Sequence, residues 1–224
     1  MHRHRDARDR RVIRLHGYWR SSAAYRVRIA LNLKGLAYLQ VPHDLRSGAQ
    51  RHQSYTMLNP QGLVPALETS QGVVTQSLAI LEWLEETHPA PALLPKSARG
   101  RATVRAMTGL IACDIHPLNN LRVLTTLRSD LGADEAQVSA WIGRWITEGF
   151  GALETLVARH GGRYAFGDTP TLADCCLVPQ VYSAERFGVD LSPFPRIRDC
   201  SAAALALEPV AEARPDRQPD ADPA

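Results

Sequence analysis

Strand-forming runs occur only in the first 75 residues of this 224-residue chain and vanish beyond the proline-rich stretch Pro89-Ala90-Pro91-Ala92-Leu93-Leu94-Pro95. That asymmetry restricts the fold to a small mixed layer followed by a helical body. Before the prolines, residues 12–17 read as a strand, 22–34 as a helix closed by Gly35, and 36–41 as a second strand. Residues 48–58 read as a weak polar helix or loop. Pro65–Thr69 and Val73–Thr75 read as short strands around the turn Ser70-Gln71-Gly72. A helix with Leu78, Leu81 and Leu84 on one face then runs from Ser77 to His88 and is stopped by Pro89. The order β-α-β-α-β-β-α predicts an α/β layer with a mixed four-stranded sheet over 12–89.

After a linker over 90–97, the spacing predicts an all-helical domain over 98–207. Its long helices fall at 98–128 and 134–159, its shorter ones at 171–186 and 194–206. Pro117 should kink the first helix or open it locally. Thr171 and Asp174 stand where a capping box starts a helix, which assigns the Asp174 carboxylate to capping rather than to acid–base work. Two ends are predicted to be disordered: a basic extension over 1–11, and a tail over 208–224 rich in Pro, Asp and Ala.

The net charge of +3 lies entirely in residues 1–11, which leaves the rest neutral, so the basic face that nucleic-acid binding requires is not indicated. No segment reads as a secretory signal or a membrane span. Cys113, Cys175, Cys176 and Cys200 show no metal-ligand spacing and no C-x-x-C, so no metal site is expected and the cytoplasm is the default compartment.

Chemistry concentrates in three segments. The first is Trp19-Arg20-Ser21-Ser22-Ala23-Ala24-Tyr25-Arg26-Val27-Arg28, where paired serines stand at the mouth of a strand–loop–helix turn. Unpaired N–H groups and the positive end of the helix dipole make such a mouth an anion site. The second is Asn59-Pro60-Gln61-Gly62-Leu63-Val64-Pro65. Residue spacing alone favours an ordinary trans proline there; a cis bond would present the Val64 backbone to a peptide-like ligand. The third is Gln76-Ser77, where the serine is either a plain helix cap or a carboxylate-binding hydroxyl.

Together these segments, with Cys113-Asp114-Ile115-His116-Pro117-Leu118-Asn119-Asn120 and Phe166–Asp174, resemble the zeta class of glutathione transferases across residues 12–206. That class includes the maleylacetoacetate and maleylpyruvate isomerases. Trp19-Arg20-Ser21 and the His116–Asn120 run look closer to the bacterial maleylpyruvate branch. The resemblance implies a thioredoxin-like first domain, a helical second domain, a homodimer and glutathione as cofactor. By matching motif position, Ser21, with Ser22 beside it, would donate to the glutathione sulfur. Gln50 and the backbone of Val64 would hold the cysteinyl and glycyl portions, and Gln76 and Ser77 the γ-glutamyl end, with Gln61 and Pro65 as further glutathione contacts. Val64–Pro65 should then be cis. The chain departs from the class at Ala23, where the usual Ser-Ser-Cys signature has cysteine, so no protein thiol stands there.

The implied reaction converts a maleyl acid to its fumaryl isomer in aromatic catabolism. A thiolate adds to the conjugated carbon, the former double bond rotates, and the thiolate leaves. Such a reaction needs fixed cations for a dianionic substrate and for the charge developing on its ketone oxygen. Arg20, Arg122 and Arg186 are the candidates, with His116 and Asn120 as further substrate contacts. Each has a structural alternative: a solvated loop arginine, a surface or dimer ion pair, a helix histidine, an asparagine mending the backbone opened by Pro117. Arg26 and Arg28 are assigned to structure. Two other functions share these residues: a transferase conjugating small electrophiles, and a non-catalytic binding protein on the same fold.

Overall fold

The computed structural model describes residues 12–222, and the basic extension over 1–11 lies outside them. The chain forms two compact units, one running to Pro91 and resuming at Glu208, the other spanning Ala92–Leu207.

In the first unit, β1 (Ile13–Gly17), α1 (Ser22–Leu33), β2 (Tyr38–Pro42), α2 (Gln53–Thr56), β3 (Ala66–Thr69), β4 (Gly72–Thr75) and α3 (Ser77–Thr87) follow in order. The sheet order is β2-β1-β3-β4, with β1 parallel to β2 and antiparallel to β3, and β3 antiparallel to β4. This is the mixed sheet that the strand spacing predicts, in the thioredoxin-like arrangement that the resemblance implies. The polar stretch after β2 resolves into a 3-10 turn, Ala49–Arg51, and the single turn of α2.

α1 is buried almost all round, through Ala24, Tyr25, Val27, Ile29, Ala30 and Leu31, and packs against α3. Its end is fixed by Lys34, whose ammonium meets Glu85 at 2.8 Å and the carbonyls of His88 and Pro91 at 2.7 and 2.9 Å. Three donors thus face three acceptors, which makes a buried ammonium tolerable. Beside the sheet, His43 bonds His16 at 3.0 Å, and His16 lies 3.4 Å from Glu68. Burial, then the neighbouring His16, holds His43 down to about 4, so it is neutral at pH 7.

The second unit contains α4 (Ala98–Gly109), α5 (Leu121–Ser129), α6 (Glu135–His160), α7 (Leu172–Arg186) and α8 (Pro195–Leu205). Pro117 opens the predicted 98–128 helix more than a kink would. The chain widens into a π-helical turn over Leu110–Ile115, tightens to 3-10 over His116–Asn119, and restarts as α5. A missing N–H at 117 forbids a continuous α-helical ladder. Gly149 of α6 makes room for this turn, since a Cβ there would overlap the Ile115 side chain.

Side chains satisfy the helix starts. Asp134 and Gln137 form a capping box on α6. Glu154 of α6 accepts from the N–H groups of Arg196 and Ile197 at 2.8 and 2.9 Å, capping α8, whose own cap residue Phe194 cannot. Asp174 accepts from the N–H and hydroxyl of Thr171 and from the N–H of Ala165, all within 3.0 Å.

After α8 the chain returns to the first unit. Here the structure corrects the expected disorder of 208–224: residues 208–222 are ordered, as α9 (Glu208–Glu212) and a 3-10 turn at Pro215–Arg217. Val210, Ala213, Pro215 and Gln218 are buried. Asn32 donates to the Pro209 carbonyl at 2.9 Å, and Arg28 to that of Ala213 at 3.0 Å. Gln40 of β2 donates to Gln218 at 2.7 Å. A composition that looks disordered alone is held by polar bonds to residues more than 170 positions away.

Burial pushes the Asp174 carboxyl up to about 6 from 3.8, while its hydrogen bonds pull it back, so it is ionised at pH 7. A folded value above the unfolded one means that its stabilisation is full below about pH 4 and is lost as pH rises through about 6. The unfolding free energy of the wild type, relative to Asp174→Asn, should therefore fall by about 2–3 kcal/mol from pH 4 to pH 7. Urea denaturation of both proteins across that range measures it, and a flat difference contradicts it.

Candidate functional site

β1 ends in a turn, Tyr18–Ser21, closed by the Ser21 N–H on the Tyr18 carbonyl at 2.9 Å. Ser21 then caps α1, its hydroxyl oxygen accepting from the Ala24 N–H at 3.2 Å. An oxygen that accepts from the helix keeps its own hydrogen for an outside acceptor. The first turn carries no acidic residue to cancel the dipole, and Ser22 is buried within it. Ala23 is half-buried and brings no thiol. Arg20 lies over the Trp19 ring, 5.2 Å from its centre.

Val64–Pro65 is cis, as the resemblance implies. The preceding carbonyl, that of Leu63, accepts from the Tyr55 hydroxyl at 2.6 Å and from Asn59 at 2.5 Å. Val64 itself makes no hydrogen bond to a described residue through its N–H or C=O, and its peptide groups remain available. Gln50 is buried in the 3-10 turn, and its side-chain oxygen has no partner. A buried acceptor without a donor is a costly arrangement that a ligand N–H would relieve. The backbones come close here: a Cβ on Gly62 would stand 3.3 Å from the Gln50 carbonyl.

Gln76 and Ser77 change roles relative to the simplest reading. Ser77 is no cap; it is the first residue of α3, and Gln76 occupies the cap position with φ +70° and no side-chain cap bond. Ser77 is buried, and its hydroxyl accepts from the buried Arg26 at 3.1 Å. A guanidinium under a helix N-terminus reinforces the positive potential where a carboxylate would dock. Gln76 donates to Gln61 at 2.6 Å, so these two exposed amides are linked.

In the second unit, His116 begins the 3-10 turn and is half-buried. Asn120 caps α5, accepting from the Arg122 N–H at 3.2 Å, so its side chain is engaged in structure. Its neighbour Asn119 is the more open one chemically, because both amide atoms are buried without a hydrogen-bond partner. Arg122 is exposed on the first turn of α5 and pairs with no described carboxylate. Arg186 ends α7 with its guanidinium 4.3 Å from the centre of the Phe187 ring. Arg26, Tyr55, Asn59 and Asn119 were missing from the sequence-derived site. Only Asn59 carried a local signal, the Asn-Pro turn in its own motif.

Residues 15–92 match the glutathione S-transferase N-terminal domain and residues 135–200 the glutathione S-transferase C-terminal domain. A maleylpyruvate isomerase from a Ralstonia species is 53% identical over 93% of this chain and 99% of its own length. A solved structure described as the holo form of a maleylpyruvate isomerase, a bacterial zeta-class glutathione S-transferase, superposes with a TM-score of 0.91 at 53% identity, covering 93% of this chain and 100% of the other. A maleylacetoacetate isomerase from Methylobacterium extorquens AM1, solved with bound malonate and glutathione, gives 0.90 at 42% identity over 94% of this chain and 100% of the other. This chain belongs to the glutathione S-transferase family, in its zeta class. Its relatives in that class are maleylpyruvate and maleylacetoacetate isomerases.

Capping and substrate contact make different demands on Asn120. Replacement by Ala should cost about 0.5–2 kcal/mol in denaturant unfolding, and Asp, an equally good cap, should restore that stability. Stability that is unchanged by Asn120→Ala would refute the cap.

Proposed function

We propose that this chain is a glutathione-dependent cis–trans isomerase that converts maleylpyruvate or maleylacetoacetate to its fumaryl isomer in aromatic-compound breakdown. The observation that carries the reading is the pairing of Ser21 with Ala23. A hydroxyl with a free hydrogen stands at an uncancelled helix N-terminus, and no protein thiol accompanies it. The sulfur must come from the ligand.

The residues present fit glutathione. Gln50 offers an orphan acceptor, the Val64 peptide offers a free donor and acceptor, and the start of α3 above Arg26 offers a carboxylate site. Ser21 is assigned to the sulfur, with Ser22 beside it. Gln50 and Val64 are assigned to the cysteinyl and glycyl portions, Gln76 and Ser77 to the γ-glutamyl end, and Gln61 and Pro65 to further glutathione contacts. When bound, glutathione supplies a thiolate that adds reversibly to a conjugated double bond and permits rotation about it.

Everything else is work for the protein. Ser21 and the α1 N-terminus hold the sulfur ionised, as helix N-termini do for protein cysteines. Arg20, Arg122 and Arg186 are assigned to the carboxylates and to the ketone oxygen as charge develops there, with His116 as a further substrate contact. Arg122 supports this best, because an exposed arginine without an ion-pair partner has no evident structural duty. Asn120 keeps its capping role, and any contact with substrate runs through the backbone it sets. The family resemblance supports a homodimer. No helix among the described residues is long and apolar enough to cross a membrane. The cysteine usage of the sequence supports a cytoplasmic enzyme.

Purified protein should convert maleylpyruvate only with glutathione present, while total glutathione stays constant. Stoichiometric consumption of glutathione would mark a conjugating transferase instead, and no turnover a binding protein. Arg122→Ala or Arg186→Ala should lower kcat/KM for the maleyl acid by about 10²-fold or more, with glutathione affinity nearly unchanged. Equal loss of both would remove these arginines from the substrate site. Ala23→Cys should leave activity broadly intact, and a large gain would show that a protein thiol can take part.

A further inference from the structure

Residues 213–222 reach back to the peptide that carries Ser21. Trp19 occupies the middle of the Tyr18–Ser21 turn, and its two backbone groups are held from two sides. Its N–H donates to the Asp220 carboxylate at 3.0 Å, and its carbonyl accepts from Arg28 at 2.9 Å. Arg28 is itself aligned by the Ala213 carbonyl at 3.0 Å. Gln218 stiffens the stretch between these contacts by donating to the carbonyls of Glu212 and Arg214 at 3.0 and 2.6 Å. Its side-chain oxygen takes the bond from Gln40, which ties the stretch to the sheet. Beyond it, Arg46 joins Asp44 to Asp222, with its guanidinium 5.9 Å from the centre of the Tyr18 ring. The turn before the catalytic serine is therefore gripped at three of its elements by residues 213–222 and their partners.

We propose that residues 213–222 are a positioning strap for the Tyr18–Ser21 turn, with Asp220 and Arg28 as positioning residues that set where the Ser21 hydroxyl stands. This rests on the reading of Ser21 as donor to the glutathione sulfur. A two-residue turn centre has few backbone bonds of its own, and only the Ser21-to-Tyr18 bond closes this one. Without the strap the Trp19 peptide can rotate, and the hydroxyl moves with it. A displacement approaching 1 Å is enough to forfeit most of a hydrogen bond to a reacting atom. The strap fixes the donor from outside the α/β layer, through a segment that follows the second unit in sequence.

The sign of one measurable quantity separates positioning from plain electrostatics. Removing the Asp220 carboxylate takes away a negative charge, which by itself favours a bound thiolate and lowers the pH at which it forms. Loss of the Ser21 contact disfavours the thiolate and raises that pH. The test uses full-length protein saturated with glutathione, following the ultraviolet difference absorbance of the thiolate against pH, with thermal unfolding as a check on folding. Asp220→Ala should raise the midpoint by about half a pH unit or more, equivalent to a roughly threefold loss of thiolate near the midpoint. Asp220→Asn keeps an acceptor oxygen without the charge and should leave the midpoint in place or slightly lower. A midpoint that holds or falls in Asp220→Ala overturns the strap, and so does an equal rise in Asp220→Asn. Ser21→Ala is the separate control: a wild-type midpoint that it does not move overturns the donor reading itself.

Discussion

Two buried guanidinium groups on α1 organise the first unit. Arg26 and Arg28 are two residues apart, so they leave the helix in nearly opposite directions. Both are almost completely buried, and neither can shed its charge. Each must therefore recruit acceptors from whatever lies on its side. Arg26 reaches the first residue of α3, and Arg28 reaches the turn ahead of α1 and the returning C-terminal segment. One helix thus ties together the sheet exit, the start of the next helix and the end of the chain. The sequence reading assigned both arginines to structure rather than to catalysis. Among their partners, Arg26 donates to the Ser77 hydroxyl, and Arg28 to the backbone carbonyls of Ala213 and Trp19.

In the second unit the same demand for satisfied polar groups is met at the helix ends. α6 supplies Glu154 to cap α8, Asp174 links the start of α7 to the Ala165 amide, and Asn120 restarts the chain after Pro117. These caps fix where each helix begins, and so where Arg122 and Arg186 sit along theirs. Gly149 contributes differently, by letting α6 come against the π-helical turn.

What could be read from the sequence followed from periodicity and local caps. The alternation of strand and helix up to Pro89, the Gly35 stop, the hairpin at Gly72 and the Thr171 cap all carry their signal within a few residues. The tail failed for the opposite reason. Its order comes from Arg28, Asn32, Gln40 and Trp19, each far away in sequence, and no apolar period announces it. Ser77 misled because a serine before an apolar run looks like a cap, whereas the helix begins one residue earlier in position. Among the site residues, Ser21 could be recognised from the helix mouth, but Arg26 under Ser77 and the orphan amide of Asn119 depend on tertiary packing. The cis Val64–Pro65 bond followed from family resemblance alone, against the ordinary preference of an X-Pro bond.

Gln76 is the one residue other than glycine, among those described, with positive φ. A glycine there would relieve about 1 kcal/mol of backbone strain and would leave α3 its start. It would also delete the amide that meets Gln61 and stands beside Ser77. Selection for thermal robustness alone would favour the glycine. The chain's thermostability ceiling and the γ-glutamyl contact proposed for Gln76 and Ser77 therefore draw on the same torsion angle, and a variant optimised for one should be screened for loss of the other.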